Sequence, residues 1–278
     1  NFFKHPVKAF FNKVLGIYYN EESVLLEETE RFDLDQLDQW QLKNILLPLD
    51  EGGIPHLQQK LLKTGKLPLK NMATVAIANV EEELAESKRI YRQLVQDVSP
   101  ATVDIDLQVG ETKITGSLTN IFDKQLVYVC WSKGEMKYLI DAYIKYLVGI
   151  AAGEISSCVF LSTKKENTVY KAINLQPGEA IIRLQQLIVL FNRGMQQPVP
   201  FFPGWRINLK KLNELEPGFV QKWAKDSVSE NAFSSTADPY IKKAVRIGYF
   251  EQDGLDEACM EVIQATAVQA SNIFGDTL

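Results

Sequence analysis

The sequence predicts an α/β (α+β) fold, a small mixed sheet flanked by helices, on three observations. Between Val103 and Val109, apolar Val103, Ile105, Leu107 and Val109 alternate with Asp104, Asp106 and Gln108, the period-two pattern of a half-buried strand. Gly110 supplies a turn, and LVYVCW, ending at Trp131, follows as a strand rich in β-branched and aromatic residues. Helical patterns lie on both sides, and the strand–helix–strand order that follows implies a parallel pairing through a crossover helix.

Taken in order, His5-Pro6 begins a helix in which Val7, Phe10, Phe11, Val14 and Leu15 face inward and Gly16 ends the run. An acidic segment from Glu21 to Asp38 reads as a solvated connector. Asp35 caps a helix through about Leu49, broken by Gly52-Gly53 and Pro55. His56 to Lys63 forms a short helix, and Gly65 and Pro68 delimit a turn. Met72 to Val95 is a long helical pattern with Val75, Ala76, Val80, Leu84, Tyr91 and Leu94 inward.

After the strands, a helix runs from about Glu135 to Ala152 with Leu139, Ile140, Tyr143, Ile144 and Leu147 as its buried stripe. Strands are expected at Ser157–Ser162 and Val169–Asn174, then a helix from Pro177-Gly178 through Phe191 that Gly194 terminates. Helices return at Leu209–Leu215, Pro217–Lys225, Asp238–Arg246 and Leu255–Phe274. The expected organisation is one structural domain, with a helical part over 1–100 packed on a core with a helical tail over 101–278.

Composition narrows the function classes. Hydrophobic content of 46%, charged content of 23% and a net charge of −5 over 278 residues describe an ordinary globular protein, without a wholly basic nucleic-acid surface. No run approaches the ~20 apolar residues of a membrane span, so no membrane partner is expected. Cys130, Cys158 and Cys259 form no CxxC pair, which argues against a zinc site or disulfide framework and fits a reducing cytoplasm. With only His5 and His56, little remains for a metal cluster or a Ser-His-Asp triad. The first residue is Asn1 and NFFKHPVKAFF lacks signal-peptide features, so the expectation is a C-terminal piece of a longer chain. GxGxxG, GxxxxGK[ST] and GxSxG are all absent.

The order of elements resembles the core of the PD-(D/E)xK nucleases, in which an Asp on one strand and Asp/Glu-x-Lys on the next hold Mg²⁺ and orient water. Five blocks carry a closer resemblance. They are HPVKAFFNKVLGIYYNEE with ERFDLDQLDQWQLKNILL, ITGSLTNI with LVYVCWSKG, KYLIDAYIKYLVGIAAG, a helix ending in RG before QPVPFFP, and DPYIKKAVRIGYF. Together these resemble the C-terminal domain of the RecC family, the gamma chain of exodeoxyribonuclease V.

That resemblance implies a restriction-endonuclease-like core in a non-catalytic subunit working with RecB-like and RecD-like subunits. The complex unwinds and degrades double-stranded DNA ends in repair and recombination, with Mg²⁺ and ATP belonging to the partner subunits and no cofactor to this domain. It further implies a degenerate site. RecB-type nucleases carry GxxD and then DYK; here Gly116-Ser117-Leu118 is followed by Thr119, and Cys130, Trp131 and Ser132 stand in place of DYK. Thr and Ser bring no charge to Mg²⁺, and Cys is too soft a ligand for it. No catalytic or metal-binding residue is therefore expected.

For DNA contact, the candidates are Lys210, Lys211, Lys242, Lys243 and Arg246, with Phe201, Phe202 and Trp205 as stacking aromatics. The plainer account makes the lysines a solvated helix face and the aromatics core or a RecB/RecD contact. Two rival functions stay open: an active Mg²⁺ nuclease using Asp104, Asp106, Asp123 or Glu135, and a protein-interaction module without DNA contact. Against the first, Glu135 opens a helix where the motif requires a strand, and Asp104 and Asp106 share a solvated strand face.

Overall fold

The computed structural model describes residues 2–19, 34–67, 71–96, 98–132, 136–163, 167–199, 238–246 and 276–277. They form a mixed sheet in sequential order of β1 (Ala101–Val109), β2 (Thr112–Phe122), β3 (Gln125–Cys130), β4 (Ser157–Ser162), β5 (Thr168–Lys171) and a two-residue β6 (Asp276–Thr277). The pair β3–β4 is parallel and every other neighbouring pair antiparallel. The helices are α1 (Pro6–Lys13), α2 (Gln36–Leu46), α3 (Ile54–Lys63), α4 (Asn71–Val95), α5 (Met136–Ala151), α6 (Pro177–Gln196) and α7 (Pro239–Arg246). None of the described helices is long and apolar enough to cross a membrane.

Turn chemistry sets the hairpins. Gly110 takes φ +58 at the first of two loop positions between β1 and β2. Asp123 and Lys124, both at positive φ, make a two-residue loop of the type I′ kind between β2 and β3. Between the β1 positions Ala101 and Val103 the register shifts, and opposite it Asn120 stands at φ 60. This bulge turns Leu118 and Ile121, three residues apart, onto the same buried face.

Two compact units are present. The first holds the sheet with α1, α5, α6 and α7. Its core joins Ile105, Leu118, Leu126, Cys158 and Phe160 of the sheet to Ile140, Tyr143 and Leu147 of α5 and Leu184, Leu187 and Leu190 of α6. Helix α5 is apolar nearly all round, as a central helix should be. The second unit packs α2 and α3 on α4. Asp35 caps α2 as expected, its carboxylate accepting from the Asp38 N–H at 2.7 Å.

Several sequence expectations are corrected. Gly194 does not end α6 but lies buried inside it, because the ring of Phe2 packs where a Cβ would stand. Val14 and Leu15 are exposed, because α1 stops at Lys13 and Gly16 at φ +66 turns the chain so that the Ile17 N–H reaches the Phe11 carbonyl. On α4 the buried stripe runs Ala73, Ile77, Val80, Leu84 and Tyr91, leaving Val75 exposed, with Ala76 and Leu94 half-buried. Val80, Leu84 and Tyr91 are thus buried as expected, and Ala73 and Ile77 complete their face. Strand β5 ends at Lys171 rather than Asn174: after Ala172 donates to Cys158, the Tyr146 hydroxyl takes the Ile173 carbonyl at 2.7 Å. Most of the acidic segment, and the expected helices at 209–215, 217–225 and 255–274, lie outside the described residues.

Candidate functional site

Thr119 and Cys130, which the resemblance set against nuclease carboxylates, differ sharply in burial. Because of the bulge, Leu118 and Ile121 point inward and Thr119 is left exposed. Cys130, by contrast, is 1% exposed on the α5 side of the sheet. Its thiol lies 3.7 Å from the Ser132 carbonyl, and its own carbonyl accepts from both the N–H and the hydroxyl of Thr163. One position faces solvent and the other belongs to the packed core.

The rival acids are also dispersed. Asp104 and Asp106 are exposed on β1, and Asp106 pairs across the hairpin with Lys113 at 3.0 Å. Asp123 sits in the tight turn at the far end of β2, and Glu135 lies outside the described residues. Among the described residues no three His, Cys, Asp or Glu side chains group as a metal site.

Polar chemistry gathers instead at the start of α5. Asp141 Oδ2 accepts from the Tyr128 hydroxyl at 2.8 Å and pairs with Lys4 and Lys145, each at 3.2 Å. Burial alone would raise the Asp141 pKa, but the Lys145 charge, the Tyr128 hydrogen bond and the Lys4 charge outweigh it and hold the carboxyl below its ordinary range. Tyr128 is pushed upward by burial and by the same carboxylate, so it stays a donor. Lysine ammonium groups lie over the rings: Lys145 is 5.0 Å from the Tyr128 centroid, Lys137 5.0 Å and Lys4 5.5 Å from that of Tyr138.

A second cluster ties the two helices that open and close the described part of this unit. His5 caps α1, its Nδ1 accepting from the Lys8 N–H at 3.0 Å, so Nε2 bears the ring hydrogen and donates to Asp238 Oδ2 at 2.5 Å. Asp238 in turn caps α7, its Oδ1 accepting from the N–H groups of Tyr240 at 2.9 Å and Ile241 at 3.1 Å. Burial works to raise the Asp238 pKa, but the hydrogen bond from His5, with the two backbone donors, holds it below the usual carboxylate range. Beneath the caps, Val7, Phe10 and Phe11 of α1 pack on Tyr240, Ile241 and Ala244 of α7. Each cap-plus-proline pair, His5-Pro6 and Asp238-Pro239, is a readable helix start; their bonding across 233 residues has no sequence signal.

Of the predicted DNA-contact residues, Lys242 and Lys243 lie on the exposed side of α7, opposite its buried face. Arg246 closes that helix, its side chain outside what is described. Phe201, Phe202, Trp205, Lys210 and Lys211 also lie outside the described residues. Sequence reading missed Lys4, Lys137, Lys145, Tyr138 and Asp141, which patterns classify only as helix surface.

Comparison with known proteins points the same way as the sequence blocks. The family model described as the RecC C-terminal domain matches residues 1–210. The RecBCD enzyme subunit RecC of Haemophilus influenzae is 26% identical over 255 residues, 88% of this chain and 22% of its own length. Its counterpart in Mycobacterium tuberculosis is 26% identical over 212 residues, covering 72% of this chain and 19% of that protein. That of Escherichia coli is 25% identical over 206 residues, covering 73% and 18%. The chain spans about a fifth of the length of these relatives.

Proposed function

The chain belongs to the RecC C-terminal domain family, and on that premise we propose that it is a non-catalytic domain of a RecBCD-like helicase and nuclease complex, serving subunit assembly and the handling of DNA strands during repair and recombination. Its protein partners are RecB-like and RecD-like subunits, and its nucleic-acid partners are duplex ends and the strands separated from them. Mg²⁺ and ATP act on the partner subunits, not here. The setting is the cytoplasm, in keeping with the buried thiols of Cys130 and Cys158.

The observation that carries the non-catalytic reading is the separation of Thr119, exposed on β2, from Cys130, buried on β3. A two-strand Mg²⁺ site needs charged oxygens converging on one point. Here neither position supplies a carboxylate, and the two side chains do not share a surface. We read the sheet as a nuclease-like core retained for its shape.

Incubation of the chain with linear duplex DNA and Mg²⁺ or Mn²⁺ tests this directly. The expected result is no cleavage. Cleavage that is abolished by Asp104→Asn, Asp106→Asn, Asp123→Asn or Glu135→Ala would replace the proposal with an active nuclease. Assembly is tested by co-purification with the RecB-like and RecD-like subunits; a chain that fails to join them loses its proposed role.

A further inference from the structure

We propose that Lys4, Lys137 and Lys145, gathered around Tyr138 and Asp141, form a docking surface for the phosphate backbone of a nucleic-acid strand, continued by Lys8. The inference rests on the DNA-handling reading above and gives it a location other than the predicted aromatic segment.

The argument begins with local charge. Lys4 and Lys137 both place their ammonium groups over the Tyr138 ring, at 5.5 and 5.0 Å from its centroid, while Lys4 and Lys145 share the Asp141 carboxylate at 3.2 Å each. Among the described residues, three ammonium groups are thus set against one carboxylate. Like charges do not gather without help; the faces of Tyr138 and Tyr128 and the Asp141 carboxylate hold them there. The lysines remain reachable from solvent, with the Lys4 side chain 33% and the Lys145 side chain 41% exposed. The surplus is positive in a chain whose formal net charge is −5, so it stands out against its background.

Continuity follows from the fold. Lys8 follows Lys4 by four positions, at most about 14 Å of chain. Lys8 Nζ lies 5.4 Å from the Tyr240 ring centroid on α7. The His5–Asp238 hydrogen bond fixes α1 against α7 and engages the Asp238 carboxylate internally. HPVKAFF and DPYIKKAVR pack on each other, and Lys4, one residue before the first block, meets Tyr138 and Asp141 of KYLIDAYIKYL.

Point-charge ammonium groups impose little geometry on their ligand and suit phosphates spaced along a strand. The tyrosine faces are already covered by lysines, so the contact should be to the backbone and indifferent to base sequence.

The test is a salt titration of the 278-residue chain binding a labelled single-stranded oligonucleotide of mixed sequence, followed by anisotropy. Each lost phosphate contact lowers the slope of log K against log salt by about 0.7. The triple variant Lys4→Gln/Lys137→Gln/Lys145→Gln should lose about 2 in slope, and the matching Lys→Arg triple should retain it. Lys137→Gln alone, which leaves both Asp141 ion pairs in place, should lose about 0.7, and urea midpoints confirm that each variant is folded. Wild-type binding with an unchanged slope in the glutamine variants overturns this surface while leaving DNA handling intact. Absence of wild-type binding at low salt overturns both. Displacement of the oligonucleotide by polyglutamate as readily as by unlabelled DNA overturns the assignment in favour of an acidic protein partner.

Discussion

Replacing Gly194 with Ala sets two opposed effects against each other. Glycine in a helix interior costs about 0.8–1.0 kcal/mol relative to Ala, so helix propensity alone predicts stabilisation. The structure predicts the reverse. A Cβ at Gly194 would stand 2.5 Å from Cε2 of Phe2, where carbon contacts settle near ~3.5–4.0 Å. The ring cannot simply slide, because it meets Phe3 and Phe191 edge-on at 5.0 Å each. If the core strains to keep both groups, overpacking costs about 1–3 kcal/mol. If Phe2 is expelled instead, the burial of a side chain now 4% exposed is lost, about 1.5–3 kcal/mol. After the gain in propensity, the two routes leave a net destabilisation of up to about 2 kcal/mol.

Urea unfolding of four proteins measures this: wild type, Gly194→Ala, Phe2→Ala and the double variant. In the Phe2→Ala background there is room for the methyl group, so Gly194→Ala should there become stabilising by up to about 1 kcal/mol. Stabilisation by Gly194→Ala in the wild-type background would refute the reasoning, because it would mean that the ring does not occupy that space.

The linked caps make a second prediction. Asp238→Ala removes the acceptor for two α7 backbone donors and the partner of His5, and should cost about 1–2 kcal/mol at neutral pH, with Asp238→Asn costing less because an amide oxygen still caps. Because the folded-state pKa of Asp238 is depressed, its ionic contribution is complete above the unfolded value near ~3.9 and is lost as pH falls through the lower folded value. The gap between wild type and Asp238→Asn should therefore narrow on acidification through that window, and an unchanging gap would deny the charge any role. Tyr128→Phe removes a 2.8 Å hydrogen bond to a partly buried carboxylate and should cost about 1.5–3 kcal/mol, read by urea midpoint. At the bulge, Asn120→Val places a β-branched residue at φ 60 and should cost at least about 1 kcal/mol, whereas Asn120→Gly should be tolerated.

The local rules of the sequence determined much of this protein. Alternation located β1, β-branched and aromatic content located β3 and β4, and Asp35, Pro6 and Pro177 marked helix starts within a residue or two. These succeed because periodicity, capping and turn preference act over a few residues. That Thr119 and Cys130 carry no carboxylate was legible for the same reason, since residue identity needs no partner to be seen. What the tertiary structure alone decided is which groups meet. A bulge exposes Thr119 while Cys130 goes into the core, and α4 buries Ala73 and Ile77 rather than Val75 beside Val80, Leu84 and Tyr91. Gly194 looks like a helix stop until the Phe2 ring is placed against it. His5 finds Asp238, and Lys4 finds Asp141, across chain separations that no local pattern spans. Such pairings are set by packing of the whole unit, where the free energy of a contact depends on everything that has already brought its partners together.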